Sequence, residues 1–378
     1  MQADTADGTR GRRKAPGALL GSERAFDFVN KYLLVMILIA VCIGFSIALP
    51  NSFFTWENFR TVGNEQIVVV LLALGATLPL IVGEFDLGVG YVLGIGQALV
   101  VGFISRDGFG ITGSIVLGLV LCGLVGLFNG ILVVKFRISA LIATLATGSI
   151  LTGVVFAYTG GQVLYGNVPK AYIQIARGEA LGLPLPIWYA LGIVIVLAVF
   201  YSFVPTGRRM YAIGGNRQAA LLSGIKVDRL IIASFVGSAV LAGFAGVMIS
   251  SRLGSAQPGL GPQFLLPAFA AAFLGATTIR PGRFNLVGTV VAVYTLAFAI
   301  TGLQQSGVPS WFEYVFNGIA LIVAVGLSNQ VVQLRQRRAR RRRLRAFSDR
   351  GHESEQDAGS PAAAATPAGG GVPGAGES

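Results

Sequence analysis

The sequence predicts an all-α protein that crosses a membrane about ten times. Its 378 residues are 53% hydrophobic and only 12% charged, with a mean hydropathy of +0.70, where a soluble chain carries roughly 25% charged residues. Apolar windows near the length that spans about 30 Å of hydrocarbon as a helix recur along most of the chain. The cations that interrupt them are shared very unevenly between alternate connections.

The elements follow in order. Residues 1–28 are polar and basic and read as a disordered N-terminal tail, because their composition buries too little apolar surface to order itself. Apolar windows then lie near 32–49, 66–83, 88–104, 112–134, 139–158, 187–204, 230–250, 264–279, 284–303 and 313–329, making 29–330 one transmembrane domain. The first follows a basic stretch and ends in SIALP, as a signal peptide would. Its apolar run is longer than a typical signal core, and no small-x-small cleavage site follows, so it reads as a retained helix. Residues 331–378 are a basic juxtamembrane segment, LRQRRARRRRLR at 334–345, followed by an Ala/Gly/Pro/Ser-rich tail. Such a basic cluster meets anionic lipid head groups. Nucleic acid is the poorer reading of it, and none is expected as a partner.

An even number of spans puts both termini on one side. Of the 29 Lys and Arg, all but Arg60, Arg106, Lys170, Arg177 and Arg252 then fall on the side of the termini. Cytoplasmic loops keep the excess of positive charge, so the termini and the 205–229 connection are expected in the cytoplasm.

Within the membrane, the unusual segment is VGEFDLGVGYVLGIG at 82–96. Glu84 and Asp86 are closely paired acids in an apolar region, where ionisable groups are costly unless buried, paired or at a boundary. Two readings stay open: Asp86 caps the helix starting near Leu87, or the acids line a translocation path or relay protons. Gly90 and Gly94 have the spacing that lets helices approach closely, as do Gly126 and Gly130. The dinucleotide-like look of the first pair lacks the soluble strand–turn–helix setting that such a fingerprint needs. On the outer side, 159–186 is a long connection with an amphipathic middle, suited to a short surface helix. It is a surface where a solute-delivering partner would arrive, or else a plain connector.

The run TGRRMYAIGGNRQAALLSGI at 206–225 is a short, basic, helix-compatible insert. It reads as a docking element rather than a catalytic site. A helix starting near Asn216 would carry Ala219, Leu222 and, just beyond, Ile225 on one side. Gly214 and Gly215 permit a tight entry, and Gly224 ends the helix.

The chain carries little else that is chemical. Cys42 and Cys122 lie in apolar windows without metal-ligand spacing, His352 is the only histidine and lies in a polar tail, and no phosphate-binding GxxxxGK[ST] occurs. No catalytic residue and no metal site is expected. If nucleotide drives this protein, another subunit must hydrolyse it.

The motifs themselves resemble a known family. NGILVVKFRISALIATLATGSILTGVVFAYTGGQ at 129–162 looks like the central region of ribose-type sugar ABC transporter permeases. YAIGGNRQAALLSGI at 211–225 is similar to their cytoplasmic signature loop. SRLGSAQPGLG at 251–261 and FLGATTIRPGRFNLVGT at 273–289 resemble later segments in the same order. The resemblance implies a ten-helix importer subunit of a bacterial cytoplasmic membrane, paired with a second permease copy. It implies two cytoplasmic ATPase subunits that use the ATP, and an extracytoplasmic sugar-binding protein. It also makes Tyr211, Gly214, Gly215, Asn216, Ala219, Leu222, Ser223, Gly224 and Ile225 the ATPase-coupling element. The chain departs from the family's usual IDLSVGS, having FDLGVGY with Phe85, Gly88 and Tyr91. The alternative from another class is a proton- or ion-coupled carrier of small polar solutes, which would require Glu84 or Asp86 to titrate during transport.

Overall fold

The computed structural model describes residues 16–279 and 281–327. The expectations for residues 1–15, the charge of Arg280, the basic run at 334–345, His352 and the C-terminal tail fall outside the described residues.

The most uniformly apolar helix is also the most enclosed. Helix α3, Ile67–Val82, has every residue buried, as expected for a helix with no polar face to turn outward. Its neighbours in sequence are α1, Pro16–Ala48, and α2, Trp56–Glu65. Helix α1 begins inside the stretch expected to be a disordered tail, because Pro16 opens a run that continues directly into the apolar span. Helix α2 is capped by Thr55, whose hydroxyl accepts the Asn58 N–H at 3.2 Å, and meets α3 at a 42° bend at Gln66. Next come α4, Val89–Ser105, α5, Ile111–Val134, and α6, Ala140–Thr159. A short helix α7, Lys170–Arg177, and a two-residue hairpin, β1 Glu179–Ala180 with β2 Leu183–Pro184, lead into α8, Leu185–Phe203. The 205–229 stretch holds the helix expected to start near Asn216, α10, Arg217–Leu222, and a further helix before it, α9, Pro205–Gly215. Then follow α11, Val227–Leu253, α12, Leu265–Gly275, α13, Leu286–Gln305, and α14, Phe312–Leu327.

Every apolar window read from the sequence falls on one of these helices. Six are long and apolar enough to cross a membrane, and the bent α2–α3 pair makes a seventh. Helices α4 and α14 and the stretch Pro262–Gly275 are apolar but shorter. The outer faces of α5, α6 and α8 expose side chains such as Val120, Leu124, Ile142, Ile150 and Val196, the surface that a protein dissolved in lipid presents. The chain is an all-α membrane protein.

Helix α11 is wedged between α3, α4 and α5, and small residues make this possible. In lipid there is no hydrophobic drive between helices, so close backbone packing must supply it. Gly126 of α5 lies against the Phe235 carbonyl of α11, and a Cβ on Gly130 would sit 2.9 Å from the Ile232 Cα. Gly90 packs against a helix, a Cβ there coming within 2.8 Å of the Leu265 side chain of α12, and it also meets the Gly261 carbonyl. Gly94 differs, facing the non-helical segment at 255–261, where a Cβ would come within 3.1 Å of the Leu260 carbonyl. This segment leaves the end of α11 at Gly254 and bridges Leu164 to Ala256. It then runs along α4, where the buried Gln97 donates to the Gln257 carbonyl at 2.8 Å. Gly261 adopts a φ of 148° there, and a Cβ would collide with the Gly90 carbonyl. Only glycine fits, and non-helical backbone at this depth is tolerated because it is buried in protein.

Candidate functional site

Two ends of the bundle concentrate the polar structure. At one end, α9 lies across the C-terminal end of α3. Pro205 starts α9 at a position whose N–H would be unsatisfied anyway, and Met210 and Ile213 bury its inner face. Gly214 rests directly on the Ile81 carbonyl of α3 with no room for a Cβ. Gly215, by contrast, borders open space. The Tyr211 hydroxyl donates to the Phe284 carbonyl at 2.9 Å, reaching the connection that leads into α13.

Asn216 then breaks the helix and starts the next one. Its side chain accepts the Ala219 N–H at 3.0 Å, a standard N-cap. Ser223 donates back to the Ala219 carbonyl at 2.9 Å. Gly224, at a φ of 76°, turns the chain so that the Ile225 N–H closes on the Ala220 carbonyl at 3.1 Å. This turn corrects the expected face. Ala219 and Leu222 point outward, with Leu222 87% exposed and its neighbour Leu221 50% exposed, whereas Ile225 folds back against the core. A six-residue helix thus presents uncovered leucines beside the exposed Arg208, Arg209 and Arg217.

Arg217 is also tied inward. Its guanidinium lies 3.1 Å from Glu84, on the connection between α3 and α4. Burial raises the Glu84 carboxyl above its ordinary value, and Arg217 opposes that without cancelling it. The pair therefore positions α10 more than it stabilises it.

Two residues further on, Asp86 is 2% exposed. Its Oδ2 accepts from the Ser238 hydroxyl of α11 at 2.8 Å, and its Oδ1 accepts the Gly88 N–H at 2.9 Å, one residue before α4 begins. Thr144 of α6 accepts the Leu87 N–H at 3.1 Å. Asn129 of α5 is buried beside Gly88, with its Oδ1 lacking a hydrogen-bond partner. Four helices thus contribute one polar side chain each, or its backbone start, to the step between α3 and α4. Among the described residues no cation pairs with Asp86. Sequence reasoning found the two acids but missed Asn129, Thr144, Ser238 and the Arg217 contact. Asn129 could have been found as the lone amide in the apolar helix α5, whereas Thr144 and Ser238 are each one of several hydroxyl residues on α6 and α11, and nothing local marked them or Arg217.

At the other end, α7 is clamped to the last turn of α11. The Tyr172 and Ser250 hydroxyls are 2.6 Å apart, Ser251 donates to the Tyr172 carbonyl at 2.6 Å, and the Ala176 N–H donates to Ser251 at 3.0 Å. Arg60 of α2 pairs with Glu179 of the hairpin. Together with Glu57, Arg177 and Arg252 they border an open charged recess.

This arrangement holds an exposed helical hook at one end, a polar step beneath it and a charged recess at the far end, and among the described residues no cluster of His, Cys, Asp and Glu could hold a metal ion. A family described as the permease component of the branched-chain amino acid transport system matches residues 61–325. The chain belongs to this permease family. The permease is 35% identical over 304 residues to the ribose import permease protein of Bacillus subtilis, covering 80% of this chain and 92% of the relative. It is 33% identical over 300 residues to the ribose import permease protein of Escherichia coli, covering 78% and 92%. It is 29% identical over 318 residues to the L-arabinose ABC transporter permease protein of Azospirillum brasilense, covering 82% and 92%. These matches place the permease among the ribose-type sugar ABC permeases that its motifs resemble. No solved structure matches it.

Proposed function

We propose that the permease is the membrane subunit of an ATP-driven ABC importer that carries a sugar, of the pentose or hexose class, across the bacterial cytoplasmic membrane. The observation that carries this reading is the match along nearly the full length of a ribose import permease, 92% of that chain. The motifs at 129–162, 211–225, 251–261 and 273–289 lie in family order within that span. The chain is a multi-pass membrane protein and a permease component, not an enzyme.

In this reading the bundle crosses ten times, with the three shorter apolar stretches completing the seven longer spans. The termini and α9–α10 face the cytoplasm, which the placement of Lys and Arg supports. Helix α10 docks on an ATPase subunit through Leu221, Leu222 and the neighbouring arginines. The charged recess beside α7 receives a sugar-binding protein. A second permease copy, identical or paralogous, completes the path, and the basic run after α14 meets anionic lipid.

The contacts of α9 suggest how the ATPase is felt. ATP binding closes the ATPase pair and displaces α10. Gly214 passes the displacement to α3 by direct backbone contact, Arg217 passes it to the α3–α4 step, and Tyr211 passes it to the start of α13. At that third point Asn285 ties two helices together, donating to the Gly275 carbonyl at 2.9 Å and accepting the Gly288 N–H at 2.6 Å. A push on α9 therefore moves the lower ends of α3, α12 and α13 as a set, and alternating access follows from rigid rocking of packed helices.

The test is purification in mild detergent followed by vesicle reconstitution. One ATPase subunit should stay bound per permease, and binding-protein-dependent sugar uptake should require ATP. A permease that purifies without any ATPase from cells making both, and takes up sugar only on an imposed proton gradient, would refute the proposal.

A further inference from the structure

Helices α5 and α6 are joined by a turn at 135–139 in which every residue is exposed. The turn lies at the α9 end of the bundle, because Thr144, in the second turn of α6, accepts the Leu87 N–H at 3.1 Å. It reads Lys135, Phe136, Arg137, Ile138, Ser139, so two cations alternate with two apolar side chains.

Phe136 is 68% exposed. A single exposed ring on a polar surface would need no explanation, but this one is not single. Phe128, Leu124, Leu141, Ile142 and Leu145 are exposed on the same two helices, so Phe136 and Ile138 end an apolar belt that faces lipid. The cations have no counter-charge from these elements, since α5, the turn and α6 contain no Asp or Glu. Among the described residues neither Lys135 nor Arg137 forms an ion pair, and the exposed Asp228 at the start of α11 pairs with neither.

Arg137 is also strained. Its φ is 54°, the left-handed conformation that closes many helices and that glycine adopts freely. The Lys135 N–H on the Ile131 carbonyl at 2.8 Å and the Ile138 N–H on the Leu132 carbonyl at 3.2 Å fix the turn around it. Main chain alone thus makes the turn, and an arginine there carries a cost that glycine avoids. Such strain points to a use for the side chain outside the fold.

We propose that the 135–139 turn binds the head group of an anionic phospholipid. Lys135 and Arg137 take the phosphate, while Phe136 and Ile138 enter the boundary with the acyl chains and continue the belt of α5 and α6. An acidic protein matches the two cations but not an apolar surface that runs on into hydrocarbon; a lipid matches both. The site is separate from the basic run after α14 and does not depend on which solute is carried. Lipid held there anchors the ends of α5 and α6 that bring Asn129 and Thr144 to the polar step.

The test places a reporter, Phe136→Trp, in the full-length permease in phosphatidylcholine vesicles. Trp56, Trp188 and Trp311 lie at the other end of the bundle, and their emission is subtracted with the wild type. Brominated phosphatidylglycerol or brominated phosphatidylcholine is then added as quencher. The anionic lipid should be preferred about thirtyfold, from about fivefold for each cation beside an anionic head group. Lys135→Gln with Arg137→Gln should abolish the preference, whereas Lys170→Gln, an exposed cation at the other end, should leave it unchanged. Arg137→Gly should lose about fivefold and melt no lower than the parent, because glycine suits the turn. Equal quenching by the two lipids, or an undiminished preference in both Arg137 variants, would overturn the site. So would release of the anionic lipid by inorganic phosphate alone, or a reporter that responds only to added ATPase subunit, which would make the turn a protein contact. No uptake is measured, so failure here leaves the import reading intact.

Discussion

Leu222→Asp isolates the docking surface from the fold. Leu222 is 87% exposed, so its replacement removes almost no contact within the permease. Fully burying a leucine side chain contributes about 1.5–3 kcal/mol. Scaled by the exposed fraction, docking on an ATPase gains about 1.3–2.6 kcal/mol from this residue. That corresponds to about ten- to eightyfold in affinity, before the added cost of burying a carboxylate. The assay is titration of detached ATPase subunit onto permease in nanodiscs, with sugar uptake measured on the same preparations. The variant should keep the melting temperature of the wild type and lose ATPase affinity by at least about tenfold. Uptake should fall with affinity and recover at high ATPase concentration. Wild-type affinity in Leu222→Asp would refute the docking role of α10, because nothing inside the permease could absorb the change.

Three further outcomes are expected. Gly126→Leu should destabilise the permease by at least about 2 kcal/mol by forcing α5 from α11, whereas Gly113→Leu on the same helix borders open space and should cost nothing measurable; thermal melts in detergent compare the two. Burial holds the Glu84 carboxyl above its ordinary 4.5, so the folded state binds that proton more tightly than the unfolded chain does. The stability carried by the group is therefore present below the ordinary value and lost as pH rises through the folded one, and Glu84→Gln should flatten the melting temperature across that window. Asp86→Asn should leave ATP-driven uptake running after the proton gradient is collapsed, and loss of uptake in both conditions would favour a proton-coupled carrier.

Much of the helix layout was legible because apolar windows depend on local composition. The α2–α3 bend was half visible: WENFRTVGNE is too polar to extend the window at 66–83, so α2 escaped notice as part of that span. In the 205–229 stretch the helix starting near Asn216 was legible but α9 before it was not, because the core contacts of α9, Gly214 on Ile81 and Tyr211 on Phe284, are tertiary. The same limit hid the polar step. Asp86 stood out alone, yet Ser238 lies 152 positions away, and no local period links residues on different helices. Gly90 and Gly94 were only half legible for a related reason. Their spacing signals close approach, but it does not say whether a helix or an extended segment comes near.

The contact between Gly214 and the Ile81 carbonyl has an evolutionary reading. Force crosses this joint through main chain alone, so it does not depend on which side chains the outward surface of α10 displays. At this joint, transmission and partner choice are thereby held by different atoms and are free to diverge separately. Exchanging residues 218–222 with those of another permease, with Arg217 and its contact to Glu84 kept, should re-address this subunit to a different motor while leaving the machinery that responds to it untouched.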